Sequence, residues 1–401
     1  MARPRHRRRR AGALAVLALV ATLAACSDDS AGDGGDDGTT TVTDAASAAP
    51  QVPDDLGSGC GDQAVTDPTD LDAGRVLARC ASGAPEAERL AAPTTLRVAV
   101  PEVLTEELAP LLVARAMGEF EKEGLTVELT QLGDREAYAA LASGDVDLVA
   151  GSLDAPFYDA VNDGSRARLI LGGTLASSPN DMNQGQTGFW VRDNALGTDG
   201  LSDLELQPVG MRGGARSAAT YPVDLLLSQT DITLNEVGLT DVGGLEAADK
   251  LVKGELAAAW LDGDSWYRVA GQPGFHLAGT LPASEAIDGT VASADLVGPD
   301  RAAGLAYARA VIRTINTYLT GDYRRDDEVM STLSEATEIP VDDLAGLPPL
   351  LFDWEVRDGT ADRIQEALVL LGGVTYDMPI TAENAVDRSL AADAVGAGVD
   401  S

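Results

Sequence analysis

Histidine is almost absent from this 401-residue chain, which contains only His6 and His276. His6 lies in an N-terminal segment that we expect to be removed, so a Ser–His catalytic pair would depend on His276 alone. A histidine-rich zinc site is excluded for the same reason. The scarcity argues against many hydrolases. We therefore expect no catalytic residue, no metal site and no cofactor.

Basic and aromatic residues are also scarce. Acidic residues outnumber Lys and Arg by 64 to 29, the formal net charge is −35, and lysine occurs only at Lys122, Lys250 and Lys253. Such a surface repels phosphate backbones, so nucleic acid is not an expected partner. Aromatic residues make up only 4% of the chain, whereas the apolar content of 45% is enough to build a core in two domains of ordinary size.

Cysteine occurs three times, and the first cysteine follows a secretion pattern. A basic start at Arg3–Arg10 precedes the apolar run Ala11–Ala25, which is shorter than the roughly 20 residues that span a bilayer. This pattern predicts a signal peptide over residues 1–25. The sequence Leu23-Ala24-Ala25-Cys26 resembles the bacterial lipobox, which implies cleavage before Cys26 and lipid attachment to its sulfur. The mature chain would then lie outside the cytoplasm, anchored by lipid to the outer face of the cytoplasmic membrane. An uncleaved anchor with an incidental cysteine is the alternative.

The other two cysteines, Cys60 and Cys80, are expected to form a disulfide in an oxidising compartment, with two free thiols as the alternative. The closed loop of roughly 20 residues would stabilise the fold by about 3 kcal/mol. Residues 26–53 are rich in Gly, Asp, Thr, Ala and Ser and predict a disordered tether. Residues 54–93 form a small N-terminal segment, with a helix predicted over Asp72–Cys80.

Strand and helix patterns alternate from Leu96 onward, which predicts βαβ units with parallel sheets. Strands are expected at Leu96–Val100, Leu125–Leu129, Val146–Ala150, Ala167–Gly173, Gly188–Arg192, Pro208–Met211, Asn235–Leu239, Ala257–Leu261, Phe275–Ala278 and Thr290–Asp295. Helices are expected at Glu107–Glu123, Arg135–Ser143, Pro156–Asp163, a segment ending at Ser228, Leu245–Lys253, Ser265–Ala270, Arg301–Thr320, Asp327–Thr337, Val341–Leu347, Ala361–Leu371 and Ala382–Val395.

Two α/β units joined by crossing segments predict two lobes with a cleft between them. Residues 94–187 plus 288–401 would form lobe 1 and residues 188–287 lobe 2, with hinges near 176–190 and 285–295. Parallel sheets bind ligands beyond the carboxyl ends of their strands. The cleft loops should therefore be those that follow Val100, Leu129, Ala150, Met211, Leu239 and Leu261.

Several segments resemble one family of binding proteins. They include a G-x-F-x-x-x-G-(hydrophobic)-x-V motif from Gly118 to Val127, an L-x-x-G-x-V-D motif from Leu141 to Asp147, and the run Lys253–Trp260 in the second lobe. The family is that of the nitrate, sulfonate and thiamine-pyrimidine binding proteins of ABC transporters. The resemblance implies an α/β, two-lobed, periplasmic-binding-protein-like (type II) fold with a ligand cleft between the lobes. It also implies a small-molecule ligand, ABC permease subunits as partners, a monomer and no enzymatic activity.

Ligand contacts are expected from the cleft loops and from the rings near them. Aromatic rings beside carboxylate acceptors suit a nitrogen-rich heterocycle, whereas the arginines suit nitrate or a sulfonate. Each arginine has the alternative of a solvated position or of a salt bridge that closes the lobes. The expected ligand-binding residues are Thr105, Asp134, Arg135, Ser152, Asp154, Tyr158, Arg212, Gly213, Arg216, Ser217, Trp260, Asp262, Asp264 and Trp266.

The sequence thus predicts an extracytoplasmic substrate-binding lipoprotein of an ABC importer. Its solute would be a small organic or anionic molecule of the thiamine-pyrimidine, sulfonate or nitrate class. The alternative is a lipid-anchored sensor or scaffold on the same fold, which would signal the presence of a ligand or bind a protein partner.

Overall fold

The computed structural model describes residues 49–52, 60–61, 64–82, 84–176, 185–263, 265–346 and 348–397, all of which belong to one compact unit. The expected signal peptide, the expected lipid-attachment residue Cys26, most of the expected tether and the candidate Asp264 lie outside the described residues. In the described ranges, none of the helices combines the length and apolar character that a bilayer span requires.

Strands and helices alternate along the described chain. The strands are β1 (Thr94–Val100), β2 (Leu125–Gln131), β3 (Leu148–Ser152), β4 (Arg168–Leu171), β5 (Thr174–Leu175), β6 (Gly188–Arg192), β7 (Pro208–Met211), β8 (Gly238–Asp241), β9 (Ala258–Leu261), β10 (Phe275–Thr280), β11 (Asp288–Ala292) and β12 (Leu351–Phe352). The α-helices are α1 (Ala109–Ala116), α2 (Glu119–Glu123), α3 (Asp134–Ser143), α4 (Ala155–Asn162), α5 (Thr220–Leu227), α6 (Gly244–Lys253), α7 (Arg301–Tyr318), α8 (Asp327–Thr337), α9 (Val341–Ala345), α10 (Thr360–Leu370) and α11 (Ser389–Ala394).

Two five-stranded sheets form the centres of two lobes. The first sheet has the order β2–β1–β3–β11–β4, in which β1 pairs in parallel with β2 and β3, and β11 runs antiparallel to β3 and β4. The second has the order β10–β6–β9–β7–β8, in which β7 pairs in parallel with β8 and β9, and β6 runs antiparallel to β9 and β10. Strands β5 and β12 form a small separate sheet. The predicted two-lobed α/β fold is therefore confirmed.

The two sheets have the same topology. In each of them, the one antiparallel strand comes directly after a segment in which the chain crosses from one lobe to the other. The chain leaves the first lobe between β5 and β6 and returns between β10 and β11. Strands β6 and β11 are the first elements after the two crossings. The carboxyl ends of the parallel strands in both lobes are thus brought toward the crossing segments, which is where such folds place a ligand.

The predicted helix Glu107–Glu123 was wrong as a single element, because Gly118 interrupts it. Gly118 has φ +69° and Gly124 has φ +82°, a left-handed conformation that glycine adopts without steric cost. The structure therefore has a short 3₁₀ turn at Glu106–Leu108, then α1 and α2. Gly124 ends α2 as the sequence predicted.

Three further predicted elements were wrong because other contacts compete with local propensity. The predicted start of a strand at Asn235 is instead a 3₁₀ turn with a capping box between Thr233 and Glu236. The predicted helix Ala382–Val395 is broken because Val386 bridges to Leu169 of β4. No helix forms over Asp72–Cys80, where Val76 bridges to Gln51 instead.

The core of lobe 1 contains four buried charged side chains, which we call the buried quartet: Glu119 and Glu123 on α2, and Arg309 and Arg313 on α7. Arg313 Nε lies 2.6 Å from Glu119 Oε2, and Arg313 Nη1 lies 2.8 Å from Glu123 Oε1. Arg309 Nη2 lies 2.8 Å from Glu123 Oε2. These ion pairs fix α2 against the long helix α7.

The segment before β1 crosses the outside of lobe 1, and we call its residues 60–82, as far as the structure describes them, the N-terminal strap. The expected disulfide is present between Cys60 and Cys80, with a Cα–Cα distance of 4.8 Å. Arg75 forms a buried ion pair with Asp353, and the backbone N–H of Thr66 donates to Glu355 at 2.9 Å. The strap is therefore fastened to the chain just after β12.

Candidate functional site

A cavity of about 110 Å³ lies between the two lobes. This volume is smaller than the roughly 300–1,000 Å³ of sites for drug-sized ligands, so the cavity fits a small solute. Its lining residues come from both sheets and from both crossings. They are Pro101, Thr105, Glu107, Leu108, Gly151, Ser152, Asp154, Thr174, Thr187, Arg212, Ser217, Ala219, Trp260, Asp262, Leu281, Ile287 and Asp288.

Four loops that follow parallel strands supply most of the polar lining. Lobe 1 contributes the loops after β1 and β3, and lobe 2 contributes the loops after β7 and β9. These are four of the six loops that the sequence predicts for the cleft. The loops after β2 and β8 do not reach the cavity, because β2 and β8 lie at the outer edges of their sheets.

The charge of the lining is dominated by carboxylates. Glu107, Asp154, Asp262 and Asp288 line the cavity together with a single cationic residue, Arg212. Arg212 already has a partner, because its Nε and Nη2 donate to the two oxygens of Asp262 at 3.1 and 3.2 Å. Glu107, Asp154 and Asp288 form no salt bridge within the described ranges, and we call these three the cleft carboxylates.

Glu107 has an unusual environment for a carboxylate. Thr187 Oγ1 donates to its Oε1 at 3.3 Å across the cleft, whereas its Oε2 is shielded from solvent and has no hydrogen-bond partner in the described structure. Burial raises the pKa of Glu107 to about 7. Burial therefore favours the protonated form of this side chain, whose Oε1 accepts from Thr187.

The other two cleft carboxylates accept hydrogen bonds from uncharged donors. The backbone N–H of Ala218 in lobe 2 donates to Asp154 Oδ1 at 2.6 Å. Burial and the nearby charge of Asp134 raise the pKa of Asp154 to about 8. Asp288 accepts the backbone N–H of Thr174 at 2.7 Å and its Oγ1 at 2.9 Å, and burial raises the pKa of Asp288 to about 6.

Arg216 joins the lobes at a point outside the cavity. Its Nη2 lies 2.8 Å from Asp159 Oδ2 on α4, and its Nη1 donates to the carbonyl of Gly373 at 2.6 Å. Gly373 lies against the backbone of Ala215, so a Cβ added to Gly373 would be 1.9 Å from the carbonyl oxygen of Ala215. The lobes therefore meet closely beside the cleft.

The structure brings seven of the fourteen candidate residues into the cavity wall, and Asp134 interacts with Asp154 behind it. Trp266 lines a small neighbouring cavity that also touches Glu107. The seven wall residues are Thr105, Ser152, Asp154, Arg212, Ser217, Trp260 and Asp262.

The remaining candidates lie elsewhere. Tyr158 is fully buried in the hydrophobic core, and Gly213 donates its N–H to Asp241 at 2.8 Å. Arg135 lines a separate open groove of about 980 Å³ along α3 and α4, which Arg216 also borders. Asp264 lies outside the described residues.

Four polar lining residues were not among the sequence candidates: Glu107, Thr174, Thr187 and Asp288. Glu107 falls inside the predicted long helix, whereas the structure places it in the 3₁₀ turn that faces the cleft. Thr174, Thr187 and Asp288 border the crossings. The predicted hinges, which include positions 187 and 288, were the signal that could have identified two of them.

No group of three or more His, Cys, Asp or Glu side chains in the described part of the chain is arranged to hold a metal ion. Four carboxylates line the same small space together with three apolar side chains: Leu108, Leu281 and Ile287. The cavity thus combines hydrogen-bond acceptors with apolar surface.

A comparison with family models finds a match over part of the chain. Residues 94–274 match the family model of the substrate-binding domain of an ABC-type glycine betaine transport system. No protein in the curated sequence collection that was searched matches the chain significantly.

Solved structures share the fold at low sequence identity. The alkanesulfonate-binding protein of Xanthomonas axonopodis pv. citri, bound to MOPS, is 15% identical with a TM-score of 0.55; the match covers 75% of this chain and 100% of that one. The periplasmic nitrate-binding protein of Synechocystis PCC 6803 is 15% identical with a TM-score of 0.56, over 77% of this chain and 89% of that one. The periplasmic aliphatic sulphonate-binding protein of Escherichia coli is 14% identical with a TM-score of 0.54, over 70% of this chain and 92% of that one. The expected resemblance to ABC solute-binding proteins is confirmed.

Proposed function

We propose that this chain, whose residues 94–274 match the substrate-binding domain of an ABC-type transport system, is the extracytoplasmic binding lipoprotein of an importer. It captures a small solute between its lobes and presents the closed form to the permease subunits. The observation that supports this most directly is the small cavity whose wall comes from both sheets. No bond of the solute needs to be altered, and a monomer is sufficient.

Closure depends on contacts that one lobe makes with the other. The N–H of Ala218 reaches Asp154, Thr187 reaches Glu107, and Arg216 reaches Asp159. A solute in the cavity touches both walls at once, so it binds the closed arrangement more tightly than an open one. Hinge rotation at the two crossings is the movement that would separate the walls.

The lipid anchor is proposed from the sequence around Cys26. Replacing this residue in the full chain, Cys26→Ala, should abolish incorporation of labelled fatty acid and move the protein from the membrane fraction to the soluble fraction. The matched control is Cys60→Ala with Cys80→Ala, which removes the other two cysteines and should leave labelling intact. Fatty-acid incorporation in Cys26→Ala would exclude attachment at this site.

The solute class is proposed from the acceptors in the wall. The alkanesulfonate and nitrate that the similar proteins bind carry negative charge, and here such a group would meet the cleft carboxylates. A nitrogen-rich heterocycle of the thiamine-pyrimidine type offers N–H donors to the same oxygens. Among the classes that the sequence suggests, the heterocycle therefore fits best.

Retention of the natural solute tests the proposal. The full chain, purified in detergent from its own host, should release about one solute molecule per chain on denaturation, detectable by mass spectrometry. The solute added back should raise the melting temperature, because a ligand that binds only the folded state stabilises it by mass action. Thr105→Trp would fill the cavity mouth and prevent retention, whereas Thr126→Trp, at an exposed position of β2, should retain the solute. Equal retention by both variants, or turnover of the solute, would contradict the proposal.

A further inference from the structure

We propose that the N-terminal strap covers a second binding site, which takes a compact monocarboxylic acid with an apolar tail. The site is a cavity of about 150 Å³ between the strap and lobe 1. It shares no lining residue with the interlobe cavity, so it does not depend on the proposed function. The strap also precedes residues 94–274, the part of the chain that matches the family model.

The strap forms one wall of this cavity, and lobe 1 forms the rest. Lobe 1 contributes part of β4, the segment just after β12 and helix α11. The strap is held in place by polar contacts, because the N–H and Oγ1 of Thr66 both donate to Glu355. Arg357 Nη1 donates to Thr66 Oγ1 at 3.0 Å and to the carbonyl of Asp67 at 2.8 Å. The cavity is therefore a space that the strap encloses.

Most of the wall is apolar. The strap supplies two apolar side chains, and two alanines of α11 leave space that longer side chains would fill. Apolar cavities of about 150 Å³ hold molecules of the size of benzene. A branched alkyl group or a single ring therefore fits. The side chains concerned are Val65, Pro68, Ile170, Val356, Ala391 and Ala392.

Two donors in the wall provide an independent observation. Trp354 and Arg357 both line the cavity, and each is only 1% exposed. Trp354 Nε1 and Arg357 Nε are shielded from solvent and have no hydrogen-bond partner among the residues that the structure describes. A buried N–H group without an acceptor is costly, so native structures normally satisfy it. Indole and guanidinium nitrogens only donate, so the occupant must bring an acceptor oxygen.

The charges of the wall favour a carboxylate over a neutral acceptor or a cation. The guanidinium groups of Arg357 and Arg388 line the cavity together with one carboxylate, that of Glu355. Glu355 pairs with Arg357, and Arg388 pairs with Glu383, which does not line the cavity. Hydrogen bonds from a guanidinium to a carboxylate are about twice as strong as those between neutral groups. A carboxylate can therefore satisfy the unused donors while its tail packs against α11.

Calorimetry on the full chain in lipid nanodiscs tests the site, since free detergent would compete for an apolar space. Isovalerate and benzoate should bind at about one molecule per chain. Isovalerate should bind at least tenfold more tightly than acetate, because each buried methylene contributes roughly fourfold. Its neutral analogue isovaleramide should bind about tenfold more weakly, and isoamylammonium should not bind. The same results are expected in Thr105→Trp, in which the interlobe cavity is filled.

Two variants change the wall itself. Trp354→Phe keeps the ring and removes the N–H donor, and it should weaken isovalerate binding by about tenfold or more. Ala391→Met fills the apolar space and should abolish binding. The matched control is Ala302→Met, at an exposed position of α7, which should bind as the unmodified chain does. The melting temperature without acid shows whether each variant is folded.

Several results would overturn the assignment. They are no binding of isovalerate, equal binding of isovaleramide or isoamylammonium, and an affinity that stays unchanged in either wall variant. If one wall variant does not fold, the other decides the question. Binding that disappears in Thr105→Trp would place the acid in the interlobe cavity and reject the second site. Failure of the proposed function has another signature, namely no retained solute while isovalerate still binds under the strap.

Discussion

The contact of Arg216 with lobe 1 provides the sharpest test of lobe closure. Arg216→Met removes the ion pair with Asp159 and the hydrogen bond to the carbonyl of Gly373, at 2.8 and 2.6 Å. The Arg216 side chain is 33% exposed and that of Asp159 is 15% exposed, so the interaction lies between a solvated and a buried pair. Hydrogen bonds to charged groups contribute about 1.5–3 kcal/mol and exposed ion pairs about 0–1 kcal/mol. We therefore expect the closed form to lose about 1–2 kcal/mol relative to the open form.

This free energy sets an upper limit on the change in affinity. A loss of about 1–2 kcal/mol corresponds to roughly 5–30-fold in an equilibrium constant. If closure is required for binding, the dissociation constant of the retained solute should weaken by no more than this factor. Asp159 keeps its hydrogen bonds from Thr375, at 2.7 and 2.8 Å, so lobe 1 itself should remain intact.

Small-angle scattering and calorimetry measure the two consequences. The radius of gyration of the solute-free protein should increase in Arg216→Met, and the affinity should fall within the stated limit. Gly373→Ala should act in the same direction by a different route, because its Cβ would overlap the carbonyl of Ala215. Arg268→Met is the matched control, since Arg268 faces Asp249 at 3.9 Å within its own lobe.

The reasoning would be refuted by one combination of results. If Arg216→Met and Gly373→Ala both leave the radius of gyration and the affinity as they are in Arg268→Met, the lobes do not separate at this contact. A loss of affinity far above 30-fold in Arg216→Met alone would instead place Arg216 on the ligand.

Three further predictions concern stability. Arg313→Met removes a cationic partner from the two glutamates of the buried quartet, so it should lower the free energy of unfolding by about 3–5 kcal/mol in denaturant. The control Arg325→Met, at an exposed position, should cost no more than about 0.5 kcal/mol. Similar losses in the two variants would contradict the role of the quartet. Replacing Cys60 and Cys80 by Ala should cost about 3 kcal/mol, and reducing agent should then have no additional effect; an unchanged stability would show that the strap is held by its ion pairs alone. The solute-free chain should lose stability as pH rises from about 5 to 8. In this range the folded protein still holds protons on the cleft carboxylates, whereas the unfolded chain releases them near pH 4. A rise in stability over this range would contradict the raised pKa values.

The sequence predicted the elements best where local patterns were strong. Strand Gly188–Arg192, strand Pro208–Met211 and helix Asp327–Thr337 match the structure residue for residue. Their boundaries follow from apolar periodicity and from turn residues, which act within a few positions of the chain. The order of these elements was enough to predict two α/β lobes and four of the loops that line the cavity.

Predicted elements failed where distant segments supply the deciding contacts. The bridge from Val386 to Leu169 breaks the expected C-terminal helix, and the bridge from Gln51 to Val76 replaces a helix in the strap. Local propensity is weak compared with such tertiary pairing. A single sequence carries no direct signal for such pairings, because no local pattern connects the two paired segments.

The candidate site also combines residues that the sequence predicted with residues that only the structure identified. Residue types and strand ends indicated Asp154, Trp260 and Asp262 as parts of one cleft. Only the folded arrangement placed Glu107 and Asp288 beside them, since these residues come from a 3₁₀ turn and from the returning crossing. The separation of the arginines was decided in the same way: Arg212 lines the cavity, whereas Arg216 from the same lobe pairs with Asp159 of lobe 1 outside the cavity.

By itself, then, the sequence determined the class of the fold, the two lobes and the loops that could meet, because these depend on short-range periodicity and on the geometry of parallel sheets. The tertiary structure alone decided which acidic side chains line the cleft and which of them has a cationic partner. The pairing of side chains across two lobes is fixed only when the lobes are in place.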